Sequence, residues 1–538
     1  MAPPEREIGP PMDSWFSVVD GASQESLRNQ LRHLSLSGSL VLAAAFCFWN
    51  GSPTSFPPKH LVLQQIATLA EGGGQEPATV PAVDRALRTF LRAYSFGDRT
   101  RAHDSTYYRS PVDERLPEGP TMRAAARLIT NPGAPGQMLL YALHKFAPLS
   151  TQVQQALGFG PREACTTIRL ILEELKVRTA PYFAPGRAPY ERRRGSRRNA
   201  TGLETPPRAF LRDWTTASTY PKVGSPSPGV APLNHGVIEY LSGDPTSFAL
   251  PGPSFGRWAF VKSGPVERVL LIPSMLAETL VSALHMGLFD SLSSEQQGTV
   301  GRVLGDQFES LVGQQFRRVF PAERVLQRVR RTPRAPEADF LVGLSSGEQI
   351  VVQCRGRALR QRGRWGDPEL FFGDIETNIV EAAGQARRYL ADNLSGPRTV
   401  SVFIVLDAYI PLTPFYTGSR GRVGIGVRDL PLPCVLSYYD LEYLLGVVDE
   451  QSLIQYLEWR GTLLTNQALI VHDEFDAIRA FLRLHEALPA EGMVDRRHSV
   501  FYTGYDPRFE EEQFATLDAE LGLHLAHPEQ TRDNPSQV

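Results

Sequence analysis

Residues 336–357 read PEADFLVGLSSGEQIVVQCRGR, and the alternation in this stretch constrains the fold more than any other feature of the chain. Two apolar runs flank a short polar turn, and successive side chains of a strand point to opposite faces. A turn centred on Ser346 sets Asp339 opposite Gln353 and Glu337 opposite Arg355. The same register gathers Phe340, Val342, Ile350 and Val352 on the other face as a buried layer. A slip of one residue would exchange the two faces, so the apolar layer and the polar patch specify the register together. The stretch is a β-hairpin carrying four polar side chains beside an apolar core.

The flanking sequence extends this unit. Apolar spacing predicts a helix over 296–319 before the hairpin, strands at 338–344 and 349–355, a helix over 374–392, and a buried strand at 399–409. Helix, hairpin, helix, strand gives an α/β core (α+β over the whole chain) around a small mixed sheet, within a domain drawn over 236–410 with its core at 296–410. Residues 14–178 read as a helical N-terminal domain, 411–519 as a C-terminal helical extension, and 1–13 and 520–538 as disordered tails. Residues 179–235 are rich in Pro, Gly and Arg and read as a linker or insertion, with a basic run at 186–198. Within the N-terminal region, 150–175 has a helix–turn–helix outline that fits an ordinary helical hairpin or a DNA-binding pair.

Composition narrows the partners. With 538 residues and a net charge of −2, affinity for a polyanion has to come from local patches. Four widely spaced cysteines show no zinc spacing and imply a reducing, cytoplasmic setting. The most apolar run, 40–49, is too short to span a bilayer, so no membrane partner is expected. Of 56 basic residues only five are lysines, and none follows Lys262.

The polar patch suits a hard cation. Asp339 can ligate Mg²⁺ or Mn²⁺, Glu309 on the preceding helix can add a second carboxylate, and Gln353 can offer an uncharged amide oxygen. Arg355 can steady a developing phosphorane but stays protonated and cannot serve as a base. The matching segments GDQFESLVGQQFRRVFP, PEADFLVG, IVVQCRGRAL and IVEAAGQARRYL together resemble the PD-(D/E)xK, or restriction-endonuclease-like, nuclease superfamily. The resemblance covers about 300–410 and implies a metal-dependent hydrolase acting on nucleic acid, DNA before RNA, with a role in defence against foreign or viral DNA. It implies Glu309, Asp339, Gln353 and Arg355 as the motif positions and Gln385 and Tyr389 as residues of the following helix that contact substrate. The chain departs from the family pattern at Arg355, where a lysine is expected, and no lysine nearby in sequence replaces it.

Arg357, Arg360, Arg362 and Arg364 follow the patch, and an arginine series from Arg317 to Arg334 precedes it, as a phosphate-tracking groove requires. The competing readings are a catalytically inactive scaffold that binds nucleic acid, or a plain sheet face on which Glu337–Arg355 and Asp339–Gln353 form a cross-strand ion pair and a hydrogen bond. The N-terminal helices are the expected surface for a protein partner. The cluster HDEFD at 472–476 offers either metal ligands or a solvated helix start.

Overall fold

The computed structural model describes residues 21–50, 62–63, 66–67, 74–102, 134–183, 203, 205–220, 233–248, 258–330, 336–356, 376–392, 396–407, 434–465, 474–485 and 507–525. The molecule is a mixed α/β protein with two small mixed sheets. Strands β1 (Thr219–Tyr220), β2 (Ser242–Gly243), β3 (Phe260–Lys262) and β4 (Arg268–Leu270) form one, in the order β1-β4-β3-β2. The second contains the hairpin. Its strands β5 (Val325–Val329), β6 (Ala338–Gly343), β7 (Gln349–Arg355), β8 (Thr399–Leu406) and β9 (Cys434–Ser437) lie side by side in sequence order. β6 is antiparallel to both of its neighbours, whereas β7, β8 and β9 run parallel.

The hairpin takes the register its alternation predicts, with Phe340 opposite Val352 and Val342 opposite Ile350. Its turn closes with the Gly347 N–H donating to the Leu344 carbonyl at 3.0 Å. Gly347 has φ +82°, a backbone state that a residue without Cβ adopts at least cost. The predicted apolar layer is fully buried against helix α1 (Ser294–Val319). This helix starts at a capping box, in which Ser293 and Gln296 satisfy each other's backbone N–H groups. Gly313 lets the sheet approach, because a Cβ there would stand 2.8 Å from the Phe340 ring. The other face of the sheet is covered by helix α2 (Glu381–Asp392), whose Ala382, Ala383, Ala386 and Tyr389 are buried. A short π-helical turn, Glu376–Val380, leads into it.

Two expectations need correction, and a third resolves between its alternatives. The boundary at 410 falls inside the sheet, since β9 comes from the stretch read as a helical extension and is followed by helix α3 (Tyr438–Val447). The stretch 179–235 is more than a linker. Its helix Arg208–Ser218 buries Phe210 and Trp214 against Phe48 and Trp49, and the basic run 186–198 lies outside the described residues. The segment 150–175 forms two helices around Gly158, and the second is buried through Ile168, Ile171, Leu172 and Leu175. It is the ordinary helical hairpin among the two readings, with its second helix packed into the core.

Helix α4 (Pro135–Phe146) joins the N-terminal helices to the sheet, packing on α1 and on the last helix, α5 (Pro507–Leu521). Arg169 holds Asp518 through two 2.8 Å hydrogen bonds, and the helix runs to Leu521, past the start of the tail drawn at 520. One continuous hydrophobic core runs from Leu27 to Leu521. No helix among the described residues is long and apolar enough to cross a membrane.

Candidate functional site at the hairpin end

The end of the hairpin distal to its turn carries the predicted polar residues. Asp339 and Gln353 extend the pairing of β6 and β7, so they stand opposite each other on the face toward α2. Asp339 Oδ2 accepts a 2.6 Å hydrogen bond from the Cys354 backbone N–H. Its carboxyl is pushed up to about 6, chiefly by burial. The Cys354 N–H and the Arg355 charge pull it down, while the negative charges of Glu309 and Glu337 push it further up. These influences place Glu309 and Arg355 electrically beside Asp339, although neither forms an ion pair with it.

Gln353 is 0% exposed, which no solvated sheet face would give. Its Nε2 donates to the Glu337 carbonyl oxygen at 3.0 Å, and its Oε1 is buried without a partner. A buried acceptor with nothing to accept costs about 1–3 kcal/mol, so this oxygen is prepared for a donor or a cation. Arg355 donates from one terminal nitrogen to the Cys354 carbonyl at 2.8 Å and from the other to Gln385 Oε1 on α2. Its Nε is buried and unpartnered. An orphaned acceptor and an orphaned donor therefore lie two residues apart on one strand face.

Neither cross-strand contact of the plain sheet reading forms. Glu337 pairs with Arg330 instead of Arg355, and Asp339 is bonded to a backbone N–H instead of the Gln353 side chain. Glu309 is held by Arg328, whose Nε and terminal nitrogen donate to it at 3.2 and 3.1 Å, and the same guanidinium bonds Asp306. Asp306 and Glu309 stand one helical turn apart, a spacing already visible in GDQFES. Arg328 and Arg330 were visible in sequence only as members of a basic run, because their acidic partners lie on other elements.

Two further expectations change. Tyr389 is buried in the α2–sheet interface, so its ring is a core residue and offers no surface to a substrate. Lys145, 208 positions before Gln353 in the chain, reaches the end of the sheet after all. It pairs with Asp407, whose backbone N–H donates to the Arg355 carbonyl at 2.9 Å. Remoteness in sequence did not exclude a lysine from this region, but Asp407 holds it. Arg357, Arg360, Arg362 and Arg364 lie outside the described residues, as do Arg331, Arg334 and the His and first Asp of HDEFD.

Among the described residues no three His, Cys, Asp or Glu side chains are grouped to hold a metal ion. The donors that are present, the carboxylates of Asp339 and Glu309 with the free amide oxygen of Gln353, are hard oxygens of the type that Mg²⁺ and Mn²⁺ select. The orphaned Gln353 oxygen makes the set fit by chemistry, with only two charges to hold the ion. No protein-family model matches the chain, and neither a curated protein nor a solved structure matches it.

Proposed function

We propose that this chain processes nucleic acid, and that the hairpin end is a metal-dependent phosphodiesterase site of the PD-(D/E)xK type. The observation that carries the reading is the fully buried Gln353 with its free Oε1, one residue beyond the Phe340–Val352 pair on the strand next to Asp339. The build order of the large sheet, a helix, the hairpin, a second helix and a parallel strand, supports the same reading.

In this account Asp339, Gln353 and Glu309 would hold Mg²⁺, which would supply charge stabilisation to a phosphoryl oxygen and acidify water. Asp339 contributes its charge only where it is ionised, so binding strengthens as the pH rises through about 6. Arg355 stays protonated, and its guanidinium charge, held in place by Gln385, can steady a phosphate oxygen. No general base is assigned among these residues. Arg355 is excluded from that role because it cannot take a proton.

Incubation of the full chain with Mg²⁺ or Mn²⁺ and end-labelled single- and double-stranded DNA and RNA tests the reading. Cleavage by wild type that Asp339→Ala abolishes is the expected result. One observation favours a second reading, a silent nucleic-acid-binding protein: the charge at 355 is fixed and the motif position at 353 carries none. An inactive wild type beside an active Gln353→Glu/Arg355→Lys double variant would establish it. Inactivity of both would remove the nuclease reading.

A further inference from the structure

Arg328 is the only described non-glycine residue with positive φ, at +51°. It sits within β5, between the pairs Gln327–Phe340 and Val329–Ala338, so it occupies the position opposite Asp339. Strand alternation would leave its side chain on the Asp339 face. The left-handed backbone breaks that alternation and delivers the guanidinium to Asp306 and Glu309 on α1. Residues with a Cβ occupy this conformation at a cost, and the arginine keeps it while making its three bonds there. The Arg328 side chain is 52% exposed, so solvent or a polyanion can reach it.

The contact therefore neutralises one of the two carboxylates that the reading above assigns to the cation, while Gln353 Oε1 is left empty-handed beside the other. Arg328 and a divalent cation compete for Glu309. We propose that Arg328 is a resident counter-cation that holds the site in a low-affinity state, and that a nucleic-acid phosphate is the partner that draws it away and opens Glu309 to the metal. This rests on the phosphodiesterase reading and adds its regulation: cation loading is coupled to polyanion binding. Reciprocity follows, since a phosphate that raises cation affinity must have its own affinity raised equally by the cation.

The test is Mn²⁺ binding to the full chain, followed by loss of the free-ion paramagnetic resonance signal, with and without a phosphorothioate oligonucleotide that resists cleavage. The variants are Arg328→Gly, which frees the backbone and removes the guanidinium, and Arg328→Asn, which keeps a side chain that tolerates positive φ. The expected result is at least a ten-fold gain in Mn²⁺ affinity for both variants without oligonucleotide. Wild type should gain a similar factor only when the oligonucleotide is present. Equal Mn²⁺ affinity in wild type and both variants, abolished by Asp339→Ala, would overturn the counter-cation role and leave the metal site standing. Absence of Mn²⁺ binding from every protein, with or without oligonucleotide, would overturn both.

Discussion

Two carboxylates stand at the same end of the large sheet, on strands separated by β7, and they are treated in opposite ways. Asp407, just beyond β8, has both oxygens engaged, one by the Tyr141 hydroxyl and the other by Lys145. Lys145 is 4% exposed, and its ammonium also lies 5.2 Å from the Tyr141 ring centre and 6.0 Å from that of Phe308. Asp339, on β6, has one oxygen on a backbone N–H, no cationic partner, and a buried amide oxygen without a donor across from it. A charge that is buried and paired fastens structure, here α4 to the sheet. A partly buried carboxylate that a nearby arginine acts on without bonding to it keeps a desolvation cost, and Asp339 is such a group. Asp407 thus fastens structure, whereas Asp339 is the carboxylate that the proposed function uses.

The largest expected effect lies at the architectural site. Lys145→Met keeps the length of the side chain and removes the cation from the buried Asp407 carboxylate, which costs about 3–5 kcal/mol. Urea unfolding of the full chain should show that loss, and Lys145→Met/Asp407→Asn should recover most of it. A single variant that loses less than about 1 kcal/mol would break the comparison, because the pair would then resemble an exposed one.

A smaller effect of opposite sign is expected at the chemical site. The folded pKa of Asp339 is raised above that of an unfolded carboxyl, so the native state holds a proton more tightly between about pH 4 and 6. Stability from this group is greatest below about pH 4 and is lost as the pH rises through 6. Asp339→Asn removes the titration and can still accept from the Cys354 N–H. It should match wild type near pH 4 and exceed it by about 3 kcal/mol above pH 7, a shift of about two pH units converted at 1.36 kcal/mol per unit. Thermal melts at the two pH values measure the difference. A variant less stable than wild type at neutral pH would mean that Asp339 is a structural residue like Asp407.

Much of the hairpin was legible because alternation, turn composition and a buried apolar layer specify one register between them. The helix before it was legible from its period, and the strand after it from its unbroken apolar run. Strand β5 was not, since VLQRV sits at the sheet edge with three exposed side chains and reads as part of a basic run. Strand β9 was hidden by its four-residue length directly before a helix. At the site, the residues that share the hairpin could be placed from sequence, and so could the helix contributing Glu309. The arginine on Glu309, the burial of Gln353 by α2 and the arrival of Lys145 depend on contacts between distant segments, which periodicity does not carry.

The most direct measurement of the central claim is a crystal structure of the full chain soaked in Mn²⁺ at about pH 8, with anomalous data collected to locate the ion. The account predicts an anomalous peak at about 2.0–2.3 Å from Asp339 Oδ1 and Gln353 Oε1, with Glu309 turned from Arg328 toward it. A map without a peak at the hairpin end, in which Gln353 Oε1 is satisfied by an ordered water and Arg328 still holds Glu309, would contradict it.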